Sequence, residues 1–438
     1  MNRRTFLRTT LAGAAWWTTG VGTSWAAPDA VFRGLGGARA RPRVVAGTVS
    51  RTGRYAAFGR PAERALRLWA ERRNAAGGVG GRPVLLRLED DGSDAEVVRR
   101  RYPSLAHEAD VLLAPYGSAL TRDAIPAAEQ VGVPCLAPTA GDKGLWAGGL
   151  RWTVQVLNPV GTTLHSTLAL AERAGVRGVS FLHRDDPFSR AVIDGAADHA
   201  TQLGMNVAAR ESFGRERDAR RAVVGLPGDM IVGTGFRPGG QGSGFLDDAL
   251  LLADALEVAG VRPRLTSLAI GAADPAFARQ VGAGAEGVLG TTGWRPYLPT
   301  PGTDRFLRAY QHRWGEAPDT HAAQAYAAMQ LYGRAVESGD SVDAPPTHPD
   351  PERGRTAERA RVRDALFALE TETVFGRYRV DDHGRQVGKT NAVLQWQAGT
   401  PVVVAPDRYR TGRLHAAGPP REHTEASSIR TESHAPRA

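Results

Sequence analysis

Apolar and polar residues alternate along this chain with two different periods. Val44 to Val49 is a near-continuous apolar run that predicts a buried strand. Over 59–76 the apolar positions Ala62, Ala65, Leu66 and Trp69 recur at helical spacing, and Gly77-Gly78 supplies the residues that end a helix. Val84 to Leu88 predicts the next strand, 94–107 a helix, 110–114 a strand, 119–132 a helix carrying Pro126, and 133–136 a short strand. The alternation then restarts. It predicts helix 161–174, strand 178–182, helix 188–203, strands 206–210 and 229–232, helix 244–259, and strands 264–269 and 287–291. Helices at 303–314, 320–337 and 356–370 follow, then short strands at 377–381, 391–396 and 401–404.

Alternating strands and helices imply parallel sheets with helices on both faces, and two such runs imply two similar lobes. The fold class is therefore α/β, with two doubly wound parallel-sheet lobes. A length of 438 residues agrees, since one core does not ordinarily grow so large. The segment 339–354 is rich in Pro, Asp and Gly and reads as a surface insertion. The tail 406–438 is charged and aperiodic, which predicts disorder.

Composition adds three constraints. The net charge of +9 comes from 55 basic residues interleaved with 46 acidic ones, so it describes a surface and not a nucleic-acid footprint. Cys135 is the only cysteine, which rules out an intrachain disulfide; between Pro134 and Leu136 it reads as a small buried apolar residue. The start, Asn2-Arg3-Arg4-Thr5-Phe6-Leu7-Arg8, precedes a weakly apolar stretch from Thr9 to Trp25 broken by Gly13, Gly20 and Gly22. No acid occurs before Asp29, and Ser24 and Ala26 are small. Residues 1–26 thus read as a cleavable signal peptide of twin-arginine type, which implies a periplasmic or other extracytoplasmic destination.

Enzyme signatures are missing. There is no Gly-x-Ser-x-Gly elbow, no His-Glu-x-x-His and no phosphate loop ending in Gly-Lys-Ser/Thr. Gly233-Thr234-Gly235 opens a dinucleotide fingerprint that Pro238 breaks. Glu89-Asp90-Asp91-Gly92-Ser93-Asp94 lacks the spaced ligands of a calcium loop and reads as a strand end turning into a helix capped by Ser93 or Asp94. His183, Asp185 and Asp186 fit another strand-to-helix turn. Neither a metal nor a cofactor is expected. What remains is a set of hydroxyl and aromatic residues at strand carboxyl ends, where open α/β sheets bind ligands. Tyr55 follows the first strand, Ser118 the strand ending at Ala114, and Thr139, Ala140 and Gly141 the strand ending at Leu136. Singly, Ser118 and Thr139 are ordinary turn and cap residues. At successive strand ends of one lobe they make a site, in which free N–H groups hold an anion and a ring adds apolar area.

These motifs resemble those of the branched-chain amino-acid binding proteins of ABC importers, the type I periplasmic binding proteins. The resemblance rests on Gly53-Arg54-Tyr55-Ala56-Ala57-Phe58-Gly59, on Asn74-Ala75-Ala76-Gly77-Gly78-Val79-Gly80-Gly81-Arg82-Pro83, and on Pro115-Tyr116-Gly117-Ser118 and Gly132-Val133-Pro134. Asp185-Asp186-Pro187-Phe188-Ser189, Gly233-Thr234-Gly235-Phe236, Tyr310 to Pro318 and Phe375-Gly376-Arg377-Tyr378 extend it over most of 43–405. It implies that 43–156 plus 294–371 form lobe 1 and 159–291 plus 376–405 form lobe 2. The chain would cross between them near 156–159, 291–294 and 371–376. It implies that Ser118, Thr139, Ala140 and Gly141 hold a ligand's charged groups, that Tyr55, Phe188 and Phe236 enclose it, and that Asp274 meets an ammonium. Gly141 stands where a hydroxyl is usual, and Phe188 and Phe236 where tyrosines are frequent. The expected partners are a small molecule (an amino acid, an amide or an apolar carboxylate) and an ABC transporter permease, with the chain a monomer and no nucleic acid involved. The rivals are a sensory receptor of the same fold and an exported α/β enzyme.

Overall fold

The computed structural model describes residues 41–237, 239–240, 244–339 and 350–416. The signal-peptide reading therefore lies outside the described residues, as do most of the expected insertion and the end of the tail. Among the described residues no helix is long and apolar enough to cross a membrane.

The first lobe is built on β1 (Arg43–Val49), β2 (Val84–Asp90), β3 (Val111–Leu113), β4 (Cys135–Ala137) and β5 (Thr153–Gln155). They form one parallel sheet in the order β2-β1-β3-β4-β5. On one face α2 (Ala95–Glu108) and α3 (Gly117–Val131) bury Tyr102, Leu105 and Leu120. On the other, α1 (Ala56–Ala75) packs with α9 (Thr303–Trp314) and α10 (Thr320–Gly339) around Trp69, Phe306, Tyr310 and Tyr332. Cys135 lies fully buried in the sheet, where burial pushes its thiol pKa up to about 12, as expected for an inert packing residue.

The second lobe adds β6 (Gly178–Arg184), β7 (Asn206–Phe213), β8 (Met230–Thr234), β9 (Leu265–Ser267) and β10 (Leu289–Thr292), then β13 (Ala392–Gln397) and β14 (Thr400–Ala405). The order is β14-β13-β10-β9-β8-β6-β7, parallel up to β10 and antiparallel at β13 and β14. One face is covered by α4 (His165–Arg173) and α5 (Pro187–Gln202), the other by α6 (Glu216–Ala222), α7 (Leu246–Val258) and α8 (Pro275–Val281). The expected α/β class with two doubly wound lobes is the fold found.

The third passage between the lobes is expected near 371–376, and there the chain forms a ribbon that packs on the first lobe. Strands β11 (Thr371–Thr373) and β12 (Gly376–Tyr378) pair as a ribbon, and Val374, Phe375 and Tyr378 belong to the first-lobe core. Helix α11 (Pro351–Ala368) leads into that ribbon, and Tyr378 donates its hydroxyl hydrogen to the Leu366 carbonyl at 2.9 Å. The tail is also ordered as far as it is described. Thr411 donates to the Val403 carbonyl at 2.8 Å, and Tyr409 is buried against Leu298, contacts that a reading of charge and period does not register.

The connecting segments are laced together. Gln155 at the end of β5 and Gln386 in the third segment share a hydrogen bond of 3.2 Å, and the Gln155 N–H donates to the Gly384 carbonyl at 2.8 Å. Lys389 points its ammonium at the carbonyls of Gly293, in the second segment, and Phe375, at 2.8 and 2.6 Å. It also lies 4.0 Å from the centre of the Phe375 ring. Burial outweighs these contacts and lowers the Lys389 pKa to about 7, with Arg408 adding repulsion. The unfolded lysine titrates near 10.4, so between the two values the unfolded chain holds the extra proton and folding stability rises with pH. Relative to Lys389→Met, the wild-type protein should therefore gain about 1.4 kcal/mol for each pH unit from 7 towards 10. Urea denaturation of both proteins at pH 7 and pH 9 measures this; a stability difference that stays constant would show that the ammonium is not destabilised by burial.

Candidate functional site

Helix α1 starts at Ala56, three residues ahead of the expected start, because its first turn crosses the end of β1 closely. A Cβ on Gly59 would stand 2.2 Å from the Ser50 carbonyl oxygen, so only glycine permits that crossing. The result places Tyr55 at the N-cap position of α1, with its N–H donated to Ser93 Oγ at 3.0 Å. The Tyr55 ring centre lies 5.1 Å from that of Tyr116, and Tyr116 stacks on Phe58 at 4.6 Å. The acidic turn beside it is structural, as expected. Asp94 caps α2, while Asp91 accepts from Thr48 Oγ1 and Ser50 Oγ at 2.8 and 2.7 Å.

Ser118, Thr139, Ala140 and Gly141 come together as one hydrogen-bonded unit. Ser118 Oγ accepts from the N–H groups of Gly141 and Asp142 at 3.1 and 3.0 Å. In return Thr139 Oγ1 accepts from the Gly117 N–H at 2.8 Å. The buried Ala140 receives Gln155 Nε2 on its carbonyl at 2.8 Å. A hydroxyl with two accepted bonds still has its own proton to donate, so Ser118 keeps a free donor. The N–H groups of Ser118 and Ala119 lie in the first turn of α3, where no intrahelical carbonyl reaches them. Directional donors for an anion thus gather at the start of α3 beside Tyr55, Phe58 and Tyr116.

In the second lobe Phe188 follows the Asp186 cap of α5, and Phe236 follows β8. Their ring centres are 5.7 Å apart, and Phe245, at the start of α7, completes a trio at 5.3 and 4.9 Å. Beneath the trio Asp248 is fully buried between Arg184 and Arg237, with Arg237 Nε at 2.8 Å from its carboxylate. The carboxylate raises the Arg184 pKa further. A Cβ on Gly235 would lie 2.1 Å from this carboxylate, which explains the glycine before Phe236.

Asp274 has partners of its own within the fold. Its carboxylate caps α8 through the Ala276 N–H at 2.8 Å and pairs with Arg295 at 3.6 Å. These contacts, and none with the other seven residues, are where its charge is engaged. Phe58, Tyr116, Phe245 and His321 were not singled out in the sequence. Phe58 and Tyr116 follow predicted strand ends and Phe245 opens a predicted helix, but His321 arrives from α10, which strand-end reasoning does not inspect. Cavities of about 420, 630 and 650 Å³ lie around Arg264, Trp69 and Tyr297. Each is lined within one lobe and contains none of the predicted residues. The strand ends, with oriented donors and rings, are the better site on chemical grounds.

Two doubly wound lobes with donors at the strand ends of one and rings at those of the other define a solute-binding protein. A family model described as periplasmic binding protein matches residues 44–224 and 240–401, and the chain belongs to that family. The family is one of solute-binding proteins and implies an extracytoplasmic location. A Leu/Ile/Val-binding protein homolog 8 from Brucella abortus is 22% identical over 391 residues, 83% of this chain and 90% of its own. The fold is shared with the isoleucine complex of the branched-chain amino acid binding protein LivJ from Streptococcus pneumoniae. That structure has a TM-score of 0.63 and 19% identity, covering 84% of this chain and 100% of its own. A benzoate complex of a solute-binding protein from R. palustris has a TM-score of 0.61 and 18% identity, covering 83% and 96%.

The departure at Gly141 has a steric origin. A Cβ there would stand 2.5 Å from Val160 Cγ2, just past the first connecting segment, and the Gly141 carbonyl accepts the Val160 N–H at 2.8 Å. Gly141→Ser should lose about 1–3 kcal/mol of stability through overpacking. Val160→Ala in the same chain should recover part of it. Thermal denaturation of the single and double variants is the measurement; equal losses in both would show that Val160 is not what excludes the side chain.

Proposed function

We propose that the chain is an exported substrate-binding protein of an ABC importer, which captures a small apolar carboxylate between the strand ends of its two lobes and presents it to a permease. The observation that carries this reading is the division of chemistry between the lobes. The Ser118 hydroxyl and the first-turn amides of α3 supply directional bonds for a carboxylate. Phe188, Phe236 and Phe245 supply apolar surface. A ligand held first by the donors gains apolar contact only when the second lobe closes, so it favours the closed state.

Asp274 decides between ligand classes. Arg295 and the α8 cap already engage it, so a buried ammonium would lose its expected partner at a cost of several kcal/mol. This favours a carboxylate without an α-ammonium over an amino acid. The chain acts as a monomer in the periplasm, reached by a twin-arginine signal.

A thermal-shift panel of amino acids, their deaminated acids, simple amides and urea tests the ligand class, with stabilisation expected from the acids. Response to polar solutes alone would refute it. Ser118→Ala should weaken the binding of the stabilising acid by about 1.5–3 kcal/mol, the worth of a charge-assisted bond. Calorimetry measures this, and unchanged affinity in a folded variant would move the site elsewhere.

Export is tested separately. Changing Arg3 and Arg4 together to lysine should hold the precursor in the cytoplasm. Undiminished periplasmic accumulation, followed by cell fractionation, would remove the twin-arginine assignment.

A further inference from the structure

The aromatic surface beside Ser118 ends in a carboxylate–imidazole dyad. Asp319 caps α10 by accepting the Ala322 N–H on Oδ1 at 2.8 Å, and its Oδ2 lies 3.0 Å from His321 Nδ1. Burial would push the Asp319 carboxyl up, but the His321 imidazole and the neighbouring amides more than offset it and hold it below the usual carboxylate range. The dyad fixes the imidazole with Nδ1 towards Asp319 and Nε2 at the opposite end of the ring. The same ring lies 4.9 Å from Phe58 and 5.4 Å from Tyr116, centre to centre, and 13% of the side chain remains exposed. Among the described residues Nε2 has no hydrogen-bond partner. From Tyr116, two residues before Ser118, a continuous run of rings therefore leads to His321 Nε2, a polar atom that the fold itself does not engage.

We infer that His321 is a specificity-determining residue of the cleft, and that the ligand is a flat ring-bearing carboxylic acid with a hydroxyl at the end opposite its carboxylate. This rests on the reading of the strand ends as the ligand site. With the carboxylate at the start of α3, the ring lies along Tyr55, Tyr116 and Phe58, and the far end of the ligand meets His321. A hydroxyl suits Nε2 in either protonation state, donating to neutral imidazole or accepting from imidazolium. A ligand that is apolar at that end removes water from Nε2 and replaces it with nothing, the situation in which a polar site discriminates most sharply.

The test is calorimetry with 4-hydroxybenzoate, benzoate, tyrosine and leucine on the wild-type protein and on His321→Phe, which keeps a ring and removes both nitrogens. The wild type should prefer 4-hydroxybenzoate over benzoate by about ten-fold or more. In the variant the two affinities should converge to within about two-fold, with benzoate binding retained. Asp319→Asn keeps a cap acceptor and should narrow the preference in part. A preference that survives His321→Phe, a wild type that binds benzoate as well as its hydroxy analogue, or binding of leucine or tyrosine alone would each overturn the proposal. In all three cases a loss of affinity in Ser118→Ala would leave the strand-end site standing. Absence of binding by any of the four probes would overturn the ligand class assigned here. The importer reading itself falls only if solutes of every class in the thermal-shift panel also fail.

Discussion

Parallel sheets end in amides that nothing in the sheet or its helices satisfies, and here two hydroxyls answer that constraint. Ser118 Oγ closes the turn after β4 by taking the Gly141 and Asp142 amides, and Thr139 Oγ1 closes the start of α3 by taking the Gly117 amide. Each hydroxyl acts as an acceptor towards the fold. Thr139 directs its proton at the Pro115 carbonyl, though at 3.5 Å, whereas Ser118 has no such internal acceptor. The atom that locks the turn thus also faces outward as a donor. Pinning the turn has a further effect, since it sets the Gly141 backbone against Val160 and leaves no space for a side chain.

The second lobe answers a different requirement. Its three phenylalanines offer area without direction, so their placement must come from the backbone beneath. Asp248 provides it, by joining Arg184 at the end of β6 to Arg237 just beyond Phe236. A carboxylate with no exposure is tolerable only with both guanidinium partners, and the glycine at 235 is what lets the chain approach it.

Long elements were legible in the sequence because periodicity over ten or more residues is hard to mimic; α1, α5, α9 and α10 fall within a few residues of their expected spans. Strands β5 and β11 and helices α6 and α8 were not foreseen, since three to seven residues carry too little period to stand out. The grouping of Ser118, Thr139, Ala140 and Gly141 was legible because hydroxyls at successive strand ends are a local pattern. The pairing of Asp274 with Arg295 was not legible, because Arg295 sits twenty-one positions on, beyond β10. The position of His321 beside Phe58 was hidden for the same kind of reason, since it arises from helix α10 returning to pack on α1, a contact with no local trace.

Closure also depends on how the connecting segments move. Gln155 and Gln386 tie the first segment to the third, and Lys389 ties the third to the second. Segments joined this way are coupled, which suits a hinge about which lobes turn as bodies. The bond from Lys389 to Phe375 belongs to the first-lobe ribbon, which anchors the third segment on that side. A buried ammonium with carbonyls as its hydrogen-bond acceptors is a costly way to join segments. It has the merit that its bonds can re-aim as the backbone rotates, because three rotatable donors on a flexible stem tolerate angular change better than a planar fork. The motion proposed for ligand capture is thus compatible with a hinge that stays hydrogen-bonded throughout.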